Sequence, residues 1–285
     1  MIAWLYGIAF VILAPLLGGL VAGIDRRVTA RMQGRVGPPI LQSFYDVGKL
    51  FEKERAYVRA SQNFYILGYL IFIAFSGALF FAGGDLLLVI FALTLSHIFL
   101  VIGAYSVTSP YALIGAEREL IQLMAVEPMI ILVSVGFYLA SGSFYVSEIA
   151  AYGGPLILLL PGVFIGFFYA LTMKLRKSPF DIATCHHAHQ EIVKGVTTEF
   201  SGSTLGMVEI AHWYEAVLLI GITWLFFAWN PLVAVVAVAL VYLAEIFIDN
   251  TTARAKWGFA LGSIWLVTLV STVANLAVFY IGGMA

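Results

Sequence analysis

Residues 86–108 read Leu-Leu-Leu-Val-Ile-Phe-Ala-Leu-Thr-Leu-Ser-His-Ile-Phe-Leu-Val-Ile-Gly-Ala-Tyr-Ser-Val-Thr, with no Asp, Glu, Lys or Arg from Leu86 to Thr108. A helix of roughly 20 such residues crosses the hydrocarbon core of a bilayer, where only closed hydrogen-bonding structures survive. The stretch is therefore a membrane span, and it decides the fold class. Other apolar stretches flank it at about 2–24, 64–83, 112–140, 155–174, 207–229, 231–248 and 258–281. Between them fall Gly83-Gly84, Ser109-Pro110, Gly153-Gly154-Pro155 and Asn230-Pro231, dipeptides and tripeptides that break regular structure. The expectation is a single all-α integral membrane domain over 1–285 with about eight transmembrane helices. No internal repeat of the inverted-repeat transporter type is visible.

Composition agrees. The chain has 285 residues, 62% hydrophobic and 11% charged, against about 25% charged in a soluble domain. So few charges cannot make a water-facing surface. The net charge of -1 says nothing about nucleic acid, and no basic tract suggests such a partner, so none is expected. The run from Met1 to Ile24 has no basic leader and no small-residue cleavage site, so it reads as a retained first span.

Charge placement orients the bundle. Arg26, Arg27, Arg31, Arg35, Lys49, Lys53, Arg55 and Arg59 follow the first span, and Arg118 opens the fourth. Lys174, Arg176, Lys177 and Lys194 follow the fifth, and Arg254 and Lys256 precede the last. With eight spans all 15 basic residues fall on one side, leaving Asp85 and Glu148 in the opposite loops. By the positive-inside rule the basic side is cytoplasmic. Both termini are expected outside, in the cytoplasmic membrane of a prokaryote.

Two cytoplasmic segments are long. In 25–63, Ile40, Leu41, Phe44, Val47 and Leu50 alternate with Asp46, Lys49 and Lys53 at helical spacing, the pattern of an amphipathic helix lying on the membrane. Segment 175–206 is long for a connection in a compact bundle, which favours a docking or site role.

Glu117, Glu119, Glu127, Glu209, His212, Glu215 and Glu245 sit inside apolar stretches. A buried charge costs about 3 kcal/mol or more unless it is neutralised or hydrated. Glu117 and Glu245 lie near span ends and can snorkel to the interface, so both a bland and a functional reading stand for them. Glu209, His212 and Glu215 are spaced by three and share one helix face, where they can line a polar track. With Glu127 they point to a proton or ion path.

Cys185-His-His-Ala-His189-Gln-Glu191 invites a metal reading, since Cys185 and His189 would share a helix face. Two ligands fall short of a site, adjacent His186 and His187 diverge, and no paired spacing completes the set. The histidines are read instead as hydrogen-bonding or proton-relaying groups at a partner. Cys185 is the only cysteine and cannot hold an iron–sulfur cluster alone. No cofactor or metal is expected in this chain.

Four blocks in order carry a family resemblance: Arg35-Val-Gly-Pro-Pro-Ile-Leu-Gln42 with Asp46, Lys49 and Glu52-Lys-Glu54; Arg118, Gln122 and Glu127; Ser178-Pro-Phe-Asp181 closing at Glu191; and Thr198-Glu-Phe-Ser-Gly202. Together they resemble the eight-helix heel subunit of respiratory complex I and its counterparts in energy-converting [NiFe] hydrogenases. Quinone-reducing members carry closely spaced glutamates after the position of Asp181, where this chain has the histidine-rich stretch. His212 falls at their sixth-helix carboxylate, flanked by Glu209 and Glu215. The insert, with Asp249-Asn250 and Ala253-Arg254, resembles the membrane-bound, Ech-type (group 4) hydrogenase branch.

The resemblance implies a non-redox subunit of an oxidoreductase complex. It would dock hydrogenase small and large subunits and a ferredoxin-like subunit, which carry the [4Fe-4S] clusters and the NiFe centre, and would neighbour an antiporter-like membrane subunit. Docking would involve Arg35, Gly37, Pro38, Asp46, Lys49, Glu54, His186, His187 and His189. The coupling path would run through Asp181, Glu191 and Glu199 to Glu127 and the 209–215 trio, with Glu117, Glu119 and Glu245 beside it. The alternatives are a quinone-reducing heel subunit, a standalone ion transporter, and a passive membrane anchor.

Overall fold

The computed structural model describes residues 2–54, 61–184 and 194–283. The described chain is helical: α1 (Ile2–Met32), α2 (Gln42–Glu52), α3 (Ser61–Phe81), α4 (Leu86–Tyr105), α5 (Pro110–Ser141), α6 (Val146–Ala150), α7 (Leu156–Leu159), α8 (Pro161–Lys174), α9 (Ser203–Leu225), α10 (Pro231–Thr251), α11 (Trp257–Val267) and α12 (Ala274–Gly283). A 3-10 turn covers Gly195–Thr197, and a π-helical segment, Thr268–Val273, joins α11 to α12. No strand forms among the described residues.

Seven helices are long and apolar enough to cross a bilayer: α1, α3, α4, α5, α9, α10 and the continuous α11–α12 rod. The expected span at 155–174 differs. It is broken at Leu160 into the four residues of α7 and the 14 of α8, and α8 alone is only about 21 Å long. Pro161 removes a backbone donor at the break. The first N–H groups of α8 turn instead to the last helix: Asn275 Oδ1 accepts from Gly162 and Val163 at 3.2 and 3.3 Å. The chain still crosses here. Val146 N–H donates to the Gly84 carbonyl at one end of the bundle, while Arg176 meets Glu119 at the other.

The start of α4 shows how sequence sets a boundary. Asp85 accepts from Leu87 and Leu88 N–H at 2.8 and 3.1 Å, an N-cap that stops the helix where Gly83 and Gly84 turn the chain. The bundle core gathers α3, α4, α5, α8 and α9 around Tyr69, Phe137, Phe167 and Phe226, all buried. Outward-facing Leu232, Val236, Leu240 and Phe247 of α10 are exposed, as are Trp4, Ile8 and Ile12 of α1. An apolar exterior over a packed interior is the surface lipid requires.

Close approach at the end that carries the basic loops depends on glycine. A Cβ at Gly23 would collide with the Ile40 carbonyl, and one at Gly115 with the backbone of Gly195 and Val196. The first contact seats the segment leading to α2 on α1. The second presses the 195–197 turn onto α5. The amphipathic α2 lies against α9, where Phe44 and Trp213 meet with ring centroids 5.3 Å apart.

Candidate functional site

Helix α8 ends in Lys174, and Arg176 and Lys177 lie in the loop that follows; these residues organise the interior of the basic end. Arg176 adopts a left-handed backbone (φ 52°), which directs its guanidinium back into the bundle. There it contacts Glu119 of α5 at 2.8 Å and Glu215 of α9 at 3.5 Å. Glu119 is 6% exposed and Glu215 2%. Burial works against the charge on Arg176, but the Glu119 and Glu215 carboxylates outweigh it and hold the guanidinium proton more firmly than usual. From the other side, His97 of α4 places Nε2 2.8 Å from Glu215 Oε1. The site is thus a buried chain, Glu119–Arg176–Glu215–His97, tying α5, α9 and α4 together.

A second network lies beside it. Lys177 Nζ donates to Asp25 Oδ2 of α1 at 2.6 Å and lies 3.8 Å from Asp249 of α10. The Tyr242 hydroxyl also donates to Asp25, at 3.1 Å, and Ser178 N–H donates to Asp249 at 2.8 Å. Glu245 is fully buried one turn away, with Thr172 Oγ1 donating to it at 3.2 Å.

Between the networks lies a cavity of about 330 Å³. Its walls include Gly18, Val21 and Asp25 of α1, Lys174 to Lys177, and Glu209, His212 and Glu215 of α9. All three residues of the α9 trio thus border the same cavity. A second cavity of about 20 Å³ lies deeper, bordered by His97, Glu119, Gln122, Lys174 and Arg176. It holds about one water by volume.

The remaining sequence-derived residues fall at different depths. Glu127 is partly buried on α5, and its Oε2 hydrogen-bonds to no described residue. It borders neither cavity. Glu117 is exposed. Asp181 accepts from Thr184 Oγ1 at 3.2 Å, and Arg118 donates to the Ile182 carbonyl at 3.4 Å. Gln122 donates to the Phe180 carbonyl at 2.7 Å, holding the Pro-Phe-Asp loop against α5. Glu199 is half-buried before α9. Glu191, Cys185, His186, His187 and His189 lie outside the described residues.

Of the docking residues, Arg35, Lys49 and Glu54 are exposed, and Gly37 and Pro38 are half-buried. Asp46 bonds Arg26 and Gln42, each at 2.7 Å. Desolvation alone would raise its pKa, but those bonds and the Arg26 and Lys49 charges hold the carboxyl below its usual range.

Sequence reading missed His97, Asp25, Tyr242 and the structural roles of Lys174, Arg176 and Lys177. A lone imidazole in the otherwise uncharged 86–108 stretch was the available signal for the first. Among the described residues no three of His, Cys, Asp and Glu are grouped as metal ligands.

A model of the family described as NADH dehydrogenase matches residues 5–280. Hydrogenase-4 component C of Escherichia coli (strain K12) is 27% identical over 98% of this chain and 96% of its own length. A component of the NADH-quinone oxidoreductase of Anoxybacillus flavithermus is 30% identical over 81% of this chain and 76% of its own length. In a solved structure of the membrane-bound sulfane sulfur reductase, an archaeal respiratory membrane complex, one chain matches with TM-score 0.85 and 27% identity. That match covers 96% of this chain and all of the other. This chain belongs to the NADH dehydrogenase family and is a multi-pass membrane subunit of a complex I-like, hydrogenase-related complex.

Proposed function

We propose that this chain is the membrane subunit of a ferredoxin-dependent, energy-converting [NiFe] hydrogenase, coupling proton reduction in a docked module to H⁺ or Na⁺ movement. The basic end faces the cytoplasm, and residues 25–63 and 175–206 receive the module. Clusters and nickel–iron centre sit in the partner hydrogenase and ferredoxin-like subunits, and an antiporter-like subunit continues the membrane arm.

One observation carries this reading. Acids and bases from five helices (α1, α4, α5, α8 and α9) and the loop after α8 converge in the interior, beside a cavity bordered by residues of both docking segments. A passive anchor has no use for buried charges that each cost several kcal/mol. A charge change in the docked module acts on Asp181 and Glu199 first. Arg118 and Gln122 of α5 contact the same loop, so the change reaches Glu127 and the α9 trio through a low-dielectric interior where it is felt strongly. The near full-length likeness to hydrogenase-4 component C supports the hydrogenase branch.

The test is to purify the complex through a tag on this chain and offer it reduced ferredoxin. Hydrogen evolution, with gradient formation in proteoliposomes, is expected. Turnover only with quinone, or only with a sulfane sulfur substrate, would move the chain to another branch. Glu127→Gln in the same complex is expected to uncouple ion transport or stop turnover, while leaving assembly intact. A normal gradient in that variant removes Glu127 from the path.

A further inference from the structure

We infer that His97 carries a translocated proton, as the inner half of a His97–Glu215 pair set between the two cavities. The inference rests on the reading above, since it presupposes ion movement through this bundle.

Hydrogen-bond arithmetic leads to it. His97 Nδ1 lies 2.9 Å from the Leu93 carbonyl oxygen. A carbonyl only accepts, so Nδ1 carries the hydrogen. Nε2 then makes an ion-pair contact of 2.8 Å with Glu215 Oε1; Oε1 lies off the line of a hydrogen bond, but a bare imidazole nitrogen and a bare carboxylate oxygen would not approach that closely. The pair therefore holds a second proton, as imidazolium with carboxylate or imidazole with carboxylic acid. Both side chains are almost fully removed from solvent.

Placement gives that proton somewhere to go. Glu215 borders the 330 Å³ cavity and His97 the 20 Å³ cavity. Among the described residues no other pair joins the two without using Lys174 or Arg176, the residues that border both. On release, the shared proton passes to water in the larger cavity, leaving neutral imidazole and carboxylate. The carboxylate is then met by Arg176, already 3.5 Å from Glu215 Oε2. On uptake, a proton from the smaller cavity restores the pair and Arg176 leans to Glu119. No electrons are involved. The other titratable or charged groups facing the pair are Tyr69 of α3, Glu119 and Glu127 of α5, His212 of α9 and Lys174.

The experiment uses the whole purified complex with His97→Gln, which keeps an amide donor for Glu215 but holds no mobile proton. Assembly, judged by co-purifying subunits, is expected to persist. The gradient formed per hydrogen is expected to fall by about a hundredfold, the low end of what a positioned proton-transfer group contributes. An infrared band that shifts on ring-¹⁵N histidine labelling should appear between oxidised and reduced complex, and vanish in His97→Gln. His97→Asn serves if the glutamine variant does not assemble. A wild-type gradient in either variant, or no such band in the unaltered complex, overturns the inference. If Glu127→Gln abolishes the gradient while His97→Gln leaves it intact, the failure is confined to His97; if neither changes it, the translocation path itself is wrong.

Discussion

Arg176 and Lys177 are consecutive in the chain, yet they point into two separate ion-pair networks. Arg176 reaches Glu119 and Glu215, and Lys177 reaches Asp25 and Asp249. The left-handed backbone at Arg176 makes the divergence possible. A single turn of loop thereby clamps α1, α5, α9 and α10, adding charge contacts to the apolar packing, such as Phe10 on Phe81, that seats α1 on the core. Apolar contact alone is a weak adhesive between helices whose alternative neighbour is lipid.

Removing one member of such a buried pair strands the other. Glu119→Ala leaves Arg176 with only the longer contact to Glu215 and is expected to cost about 3–5 kcal/mol. The double variant Glu119→Ala/Arg176→Met removes both charges and should cost less than the single one. Thermal unfolding of the detergent-solubilised complex compares the two. A double variant less stable than the single one would contradict the pairing.

The Arg26–Asp46 contact behaves differently, being half open to water with side chains 51% and 40% exposed. Asp46 has a lowered folded-state pKa. Its contribution is therefore present above the unfolded value, near 4, and lost as pH falls through the folded one. Solvent and salt screening keep it below about 1 kcal/mol. Asp46→Asn should hardly change stability at neutral pH and should abolish any stability lost on acidification below about pH 4 that involves α2. If residues 25–63 receive the partner module, the same variant retains less of it on purification in high salt.

Glu245 was legible as a span-end acid able to snorkel, but the structure buries it completely beneath Thr172. Its Oε2 meets no described donor. Glu245→Gln keeps the Thr172 bond and removes a potential buried charge, so stability should change by less than about 1 kcal/mol. A gradient reduced at unchanged hydrogen evolution would place Glu245 on the path. Unchanged coupling would leave it structural.

Most of the architecture was readable because apolar runs and their breakers are local signals. Asp85 announces α4, and Gly83-Gly84 the turn before it. The three-residue spacing of Glu209, His212 and Glu215 was likewise local, and all three border the larger cavity. What was not readable depended on distant partners. His97 gains meaning only against Glu215, and Lys177 only against Asp25, each pairing more than 100 residues apart in sequence. Lys174, Arg176 and Lys177 entered the sequence reading solely as orientation markers, because a positive-inside count asks which side a charge is on and not what it touches.

The break in the 155–174 span has the same origin and supports a last prediction. Pro161 and Gly162 look like an ordinary helix start, but this start lies among the transmembrane helices, where no bulk water can satisfy free N–H groups. Asn275 supplies the acceptor for two of them, and its Nδ2 donates back to the Leu159 carbonyl at 3.4 Å. One amide thus caps both sides of the break. Asn275→Leu fills the same space while leaving two donors and one acceptor unmet, at about 1–3 kcal/mol for each. The variant should unfold at lower denaturant and cleave faster between α7 and α8 in limited proteolysis. Asn275→Leu as stable as the parent chain would mean that water reaches the break, and that this part of the bundle is hydrated.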